Sequence, residues 1–244
     1  MVAAHNPAGV ESGDPPSPPV EPDALVGAAR GLAWLSGGIL LTVLLFIGAA
    51  DIQVLRPWHA PSFLLGTAAG LYGLTFLRPA DHLTPHGRRH RRQARRLLLL
   101  QAYFAPFIGW WQATPDNTYF FLHLLLFLIS LSGLLLIVNR LAGDFGVVLA
   151  DAGVVHEALL SQRLIQWLVL PLTLAWGAAG IALRADVLAA PGFLLALLPE
   201  GALPPWLHTA LMAAVLMTVI AGWKCGQSCY RRLAGAGAPP VGPA

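Results

Sequence analysis

Charge is scarce in this chain. Only 11% of its 244 residues are Asp, Glu, Lys or Arg, against 56% hydrophobic, and the mean hydropathy is +0.64. Soluble domains carry roughly 25% charged residues, so a soluble globular fold is excluded for want of polar surface. Lysine is nearly missing: Lys224 stands alone beside fourteen arginines, a bias of GC-rich coding that points to a bacterial protein. Cysteine is limited to Cys225 and Cys229, which implies no disulfide framework. The first 27 residues contain no Lys or Arg, but four acids (Glu11, Asp14, Glu21 and Asp23) and six prolines. That is the reverse of the basic start of a signal peptide. Such a composition cannot bury a core, so 1–27 is expected to be a disordered cytoplasmic tail, and 233–244 a flexible one.

Long uncharged runs fill most of the remainder, 28–232. About 20 apolar residues cross the roughly 30 Å of hydrocarbon in a bilayer, and spans are expected at 31–50, 60–77, 97–111, 119–138, 164–183 and 206–223. The second and third are short. Between them lies the stretch from Arg78 to Arg96, which carries seven arginines and acts as a cytoplasmic anchor by the positive-inside bias. With six spans and this loop inside, thirteen of the fifteen basic residues face inward and only Arg56 and Arg184 face out. Dropping the third span would move Lys224, Arg231 and Arg232 outside. The expected fold is therefore all-α: a polytopic integral membrane protein of six transmembrane helices, N-in/C-in, in the cytoplasmic (inner) membrane.

Tryptophans mark the same boundaries. Trp58, Trp110, Trp111 and Trp206 fall at outer ends and Trp34, Trp167 and Trp223 near inner ends, as an interfacial belt requires. Trp176 falls outside the belt and is expected between helices. The inner connection 139–163 reads as an amphipathic surface helix broken near Gly153, with Asp144 and Asp151 on one face. The outer connection 184–205 suggests a short interfacial helix between Pro191 and Pro204. Pro106 and Pro171 are expected to kink their spans.

No expected span contains Asp, Glu, Lys or Arg. Ion-coupled transporters and pumps need such residues for relays and counter-ions, so that class is disfavoured. Zinc-protease, Walker and dinucleotide motifs are missing. The segment Ser130-Leu131-Ser132-Gly133 lacks the first glycine of Gly-x-Ser-Gly, and Ser132 lies deeper than His208, so an intramembrane Ser–His protease has no support either. The mild polar residues in spans, such as Thr42, Gln101, Ser130 and Thr218, are expected to serve helix packing.

Some candidates for chemistry remain. His123 and His208 sit at similar depth in different spans, an arrangement that bis-histidine haem ligation requires. Each also lies within one turn of its helix start, where an interfacial imidazole finds water or headgroups, and no cofactor is expected. Cys225 and Cys229, four apart on one helix, present both thiols the same way, but a metal site needs further ligands. Arg88, Arg89, Arg91, Arg92, Arg95 and Arg96 are expected to contact anionic lipid or a partner, or to pair with Asp144, Asp151 and Glu157. Gly66, Gly70 and Gly73, with Gly177 and Gly180, are expected to let helices pack closely. No nucleic-acid partner is implied; the partners are the lipid bilayer and other membrane proteins or a second copy. The resulting expectation is a non-catalytic scaffold, assembly factor or accessory subunit of a membrane complex. The alternatives are a permease for a neutral or lipidic substrate, or a haem-binding electron-transfer subunit using His123 and His208.

Overall fold

A computed structural model describes residues 21–51, 59–114, 116–184 and 203–236, and every regular element among them is helical. Seven α-helices occur among the described residues: α1 (Pro22–Asp51), α2 (His59–Phe76), α3 (Gly87–Ala113), α4 (Thr118–Val148), α5 (Ala152–Leu164), α6 (Leu170–Arg184) and α7 (Pro205–Ala236). A 3-10 turn (Pro79–His82) precedes α3, and a π-helical turn (Ile165–Val169) joins α5 to α6 without a break. Among the described residues four segments are long and apolar enough to cross a membrane: Pro22–Leu45, Thr118–Val148, Ala152–Leu183 and Pro205–Gly235. The chain is a membrane protein. Of the two remaining expected spans, α2 offers a shorter apolar helix, Phe63–Phe76, and α3 is charged through its first ten residues.

The first helix starts earlier than its composition suggested. Pro22 opens it, a position where the missing N–H costs nothing, and Asp23 sits in the first turn beside the positive pole of the helix. The Glu21 carbonyl accepts from the amides of Ala24 and Leu25, and Ala24, Leu25 and Ala28 are fully buried. Residues 22–27 of the expected tail are therefore helical; residues 1–20 lie outside the described residues, as do 237–244. At the other end α7 stays helical to Ala236, so 233–236 belong to the helix.

Glycine brings α1 and α2 together as an antiparallel pair. A Cβ built on Gly38 would lie 2.6 Å from the carbonyl oxygen of Gly66 and 2.7 Å from the amide of Gly70. One on Gly73 would lie 2.8 Å from the Gly31 carbonyl oxygen. Backbone therefore meets backbone along this seam, which only glycine permits. Gly177 and Gly180 of α6 receive Leu125 and Phe121 of α4 in the same way, with built Cβ atoms 2.5 and 2.3 Å from those side chains.

Helix α4 is the axis: it packs against α3, α5, α6 and α7, while α1 covers α2 and α7. Phe121, Phe127, Phe145, Leu124, Leu128 and Leu131 give it a fully buried apolar face, and Phe63 of α2 meets Phe127 edge-on at 5.6 Å. Trp176 is buried against Phe121. Trp34, Trp110, Trp167 and Trp223 are exposed, but Trp111 is buried, so it does not belong to a lipid-facing belt.

Two expectations for the inner connection are overturned. The arginine run is not a loop, because Gly87 onward forms the first turns of α3; Arg is a good helix former and no proline intervenes before Pro106. The segment after residue 138 also stays helical: α4 runs to Val148, and the chain turns at Leu149–Asp151 instead of breaking at Gly153. Ala150 takes a left-handed φ of 54°, while Asp151 N donates to Gly146 O and Ala150 N to Val147 O. These are the two bonds of a Schellman turn. Asp144 and Asp151 consequently lie on separate elements and share no helical face. Pro171, expected to kink its span, follows the π-helical turn directly, and that wide turn is where the helix absorbs the lost hydrogen bond. The short outer helix expected after residue 184 falls outside the described residues.

The seam between α1 and α2 gives a paired test. Gly38→Ala should cost about 1–3 kcal/mol, since its methyl meets backbone that cannot move aside. Gly37→Ala, which meets nothing within 4 Å, should be neutral or stabilise by up to about 1 kcal/mol. Thermal unfolding in detergent reads both, and equal effects would contradict a glycine-specific contact.

Candidate functional site

The helices that continue past their apolar stretches gather at one end of the bundle, here called the arginine end. There α3 (87–96), α4 (139–148), α5 (152–163) and α7 (224–236) form a layer of their own. All four ion pairs among the described residues belong to this end. Arg91 of α3 grips Asp81 of the 3-10 turn in a fork, Nε to Oδ1 at 2.9 Å and Nη2 to Oδ2 at 2.6 Å. Lys224 of α7 pairs with Glu157 of α5. Asp151 caps α5 by accepting from the amides of Gly153 (3.0 Å) and Val154 (3.2 Å). Its second oxygen accepts from the Ser228 hydroxyl and lies 3.6 Å from the Arg231 guanidinium. The Ser228 hydrogen bond, above all, holds the Asp151 carboxyl below its ordinary value, helped by the capping amides and Arg231 and opposed by burial.

His90 sits where α3 meets α4, with Nδ1 3.2 Å from Asp144 Oδ2, close enough to pair but not aligned as a hydrogen bond. Burial pushes its imidazole below the ordinary value; Asp144 pulls the other way, and Arg140 and His86 push with burial. None of Asp144, Asp151 and Glu157 pairs with an arginine of the Arg78–Arg96 run, contrary to one expectation. The acids are occupied by His90 and by α7. Among the described residues Arg88, Arg89, Arg92, Arg95 and Arg96 are exposed without an ion-pair partner.

Just below this layer is a buried polar knot. Asn139 of α4 is wholly buried; its Nδ2 donates to Leu135 O and to Thr218 Oγ1 of α7, both at 2.8 Å. Thr218 Oγ1 donates to Ala214 O and lies 3.3 Å from the Ser161 hydroxyl of α5. Three helices thus share one hydroxyl. Thr218 was legible in the sequence as a polar span residue, but Asn139 and Ser161 were not. Both fall in the expected surface helix 139–163, and for Asn139 the signal that it continues α4 is the lack of any breaker between Val138 and Gly143.

The other candidate residues are dispersed. His123 donates through Nδ1 to the Tyr119 carbonyl at 2.8 Å and stacks on Phe107 at 4.1 Å, with Phe104 edge-on. Every ring packed against it among the described residues belongs to α3 or α4. His208 is half-buried in the first turn of α7, whose amide there donates to Pro204 O. Cys225 and Cys229 are fully buried free thiols, four residues apart on α7. No group of three or more His, Cys, Asp or Glu side chains able to hold a metal occurs among the described residues. Ser130 and Ser132 spend their hydroxyls on Phe127 O and Leu128 O, a local bonding pattern that Thr42 and Thr173 repeat.

Two measurements probe this end. Asn139→Leu and Thr218→Val should each weaken the bundle, and the double variant should fall short of their sum by about 1 kcal/mol, the size of an interhelical hydrogen bond in a membrane protein. Strict additivity would show that the pair is not coupled. For His90, an unfolded imidazole binds its proton near pH 6.5 while the folded one needs lower pH. The unfolded state then holds more protons in that window, so stability is complete above 6.5 and is lost as pH falls. The thermal midpoint should drop between pH 7.5 and 5.5, and His90→Gln should flatten that slope; an unchanged slope would remove His90 as its source.

Comparison of the chain with protein-family models, with curated proteins and with solved structures finds no match in any of the three.

Proposed function

We propose that the protein is a non-catalytic scaffold or accessory subunit of a larger membrane complex. In this reading six spans leave both termini and the arginine end in the cytoplasm. The observation that carries it is the layer at the arginine end: four helix ends locked together by ion pairs and presenting Arg88, Arg89 and Arg92 without acidic partners. An unneutralised basic tip is a docking surface for an acidic partner, since charge complementarity sets orientation and on-rate.

Parity supports the topology. At 1.5 Å per residue α2 is about 27 Å long, and the uncharged part of α3, 97–113, is of similar length. The arginines at the head of α3 extend its reach by snorkelling. Counting both as crossings brings Arg78–Arg96, Arg140, Arg163 and Lys224 to one side, in keeping with the positive-inside bias.

Reporter fusions after Arg96, after Arg163 and at the C-terminus should all read as cytoplasmic, and one near Asp116 as external. An external C-terminus would overturn six spans. For the scaffold role, the wild-type chain in mild detergent should migrate well above its own 25.9 kDa, and Arg88→Glu/Arg89→Glu/Arg92→Glu should collapse the assembly while the bundle stays folded. A chain that runs alone in native membranes, with or without those arginines, would sink the scaffold reading.

A further inference from the structure

Other arginines at this end stand at the mouths of grooves. On one side of α3, Arg91, Arg95 and Leu99 follow one another at four-residue steps and face Leu71, Leu74 and Arg78 across a groove of ≈ 480 Å³. On the other side, Arg96 and Leu97 face Ile137 and Arg140 of α4 across ≈ 340 Å³. Gly133 helps keep that floor open, since a Cβ there would meet nothing nearer than Leu97 at 3.6 Å. Both α2 and α4 run antiparallel to α3, so in each groove the arginines collect at the arginine end and the apolar residues lie deeper in the bundle.

The charge in these grooves is largely uncompensated. Asp81 neutralises Arg91, but Arg78, Arg95, Arg96 and Arg140 have no ion-pair partner among the described residues. Each groove therefore offers two free guanidinium groups at one end and a leucine- or isoleucine-lined trough along the rest. A guanidinium binds phosphate oxygens in a bidentate fork, and the trough runs in the direction an acyl chain takes. A zwitterionic lipid lacks the net charge for this site, and a free phosphate lacks the chain.

We propose that each groove seats one anionic phospholipid, with its phosphodiester between Arg78 and Arg95 or between Arg96 and Arg140. This requires that the arginine end lie at headgroup depth, and it is independent of the scaffold role. It also separates two kinds of arginine on one helix. Arg95 and Arg96 hold lipid, while Arg88, Arg89 and Arg92 line neither groove and stay free for a partner.

The test is native mass spectrometry of the purified full-length chain in detergent, titrated with phosphatidylglycerol, with phosphatidylcholine of the same acyl chains, and with inorganic phosphate. Two equivalents of phosphatidylglycerol should bind saturably, with no comparable binding of the other two probes. Arg78→Gln/Arg95→Gln should weaken one equivalent by roughly thirty-fold, at about one order of stabilisation per two-thirds of the charge removed. The second equivalent stays and reports an intact fold. Arg96→Gln/Arg140→Gln should do the converse, and Arg88→Gln/Arg92→Gln should change neither. Leu99→Trp fills the first trough while keeping every charge, and it should remove one equivalent where Leu100→Trp, outside the groove, removes none. Should the first double variant fail to fold, Leu99→Trp decides the same point. Equal loss from all three arginine pairs would mean diffuse surface charge, equal binding of phosphatidylcholine an apolar trough alone, and competition by inorganic phosphate a site without a chain. Any of these overturns the proposal.

Discussion

One buried amide sets the register of the bundle. Between leucine faces the packing of membrane helices is nearly as good after a slip of one turn, because lipid tails are as apolar as the side chains they replace. The Asn139 amide bonded to Thr218 Oγ1 removes that freedom, since a slip would strand a donor in a low-dielectric interior at a cost of several kcal/mol. Ser161 joins the same hydroxyl from α5. With α4, α5 and α7 fixed at one level, Glu157, four residues from Ser161, comes opposite Lys224, six from Thr218, and Asp151 and Ser228 meet at ten residues from the same two positions. The ion pairs are consequences of that register. Solvent weakens half-exposed pairs of this kind, so they cannot be its cause.

Charge is arranged against local preference at the head of α3. Six arginines occupy residues 87–96, at the positive pole of the helix dipole, with no acid in the first turn. Each such placement costs about 0.3–1 kcal/mol at an exposed site, and like charges four apart, as at Arg88/Arg92 and Arg91/Arg95, add to it. Among the described residues only Arg91 of these has an ion-pair partner, Asp81. A local conflict of this size, repeated over three turns, is the kind of departure found at functional positions. An anion from outside the chain, a headgroup or an acidic surface as proposed above, would relieve it.

How much of this was legible in the sequence depended on the range of the signal. The GxxxG of Gly66 and Gly70 marks a close contact because it is a local pattern; that its partner is Gly38, in α1, is not local and could not be read. Hydropathy windows report the solvent around a helix, not the length of the helix. Hence α4 was cut at residue 138 and α7 at 223, although nothing after either position stops helical hydrogen bonding. Cutting α4 there hid Asn139 and put Asp144 and Asp151 on one expected face, while Ser161 fell just ahead of the fifth expected span. Conversely, the proline-rich start masked the onset at Pro22, because composition averages over a residue that is itself a helix-initiating signal. The histidines and cysteines were found as residue types, but the company they keep, Phe107 and Tyr119 around His123 and Cys225 beside Cys229, is a matter of tertiary packing.

The two halves of the arginine end differ in how firmly they are held. The α4–α5–α7 side has the buried knot, a capping carboxylate and two further side-chain links to α7. The α3 side is joined to α4 at this level by His90 and Asp144, which lie close but misaligned, and to its own turn by Arg91 and Asp81. Opening free energies follow such differences in burial and bonding, so the head of α3 is the element free to shift against a fixed neighbour. Both grooves have α3 as one wall. A lipid seated in each, as proposed, would tie the head of α3 to α2 on one side and to α4 on the other, and so complete what the chain's own bonds leave unfinished.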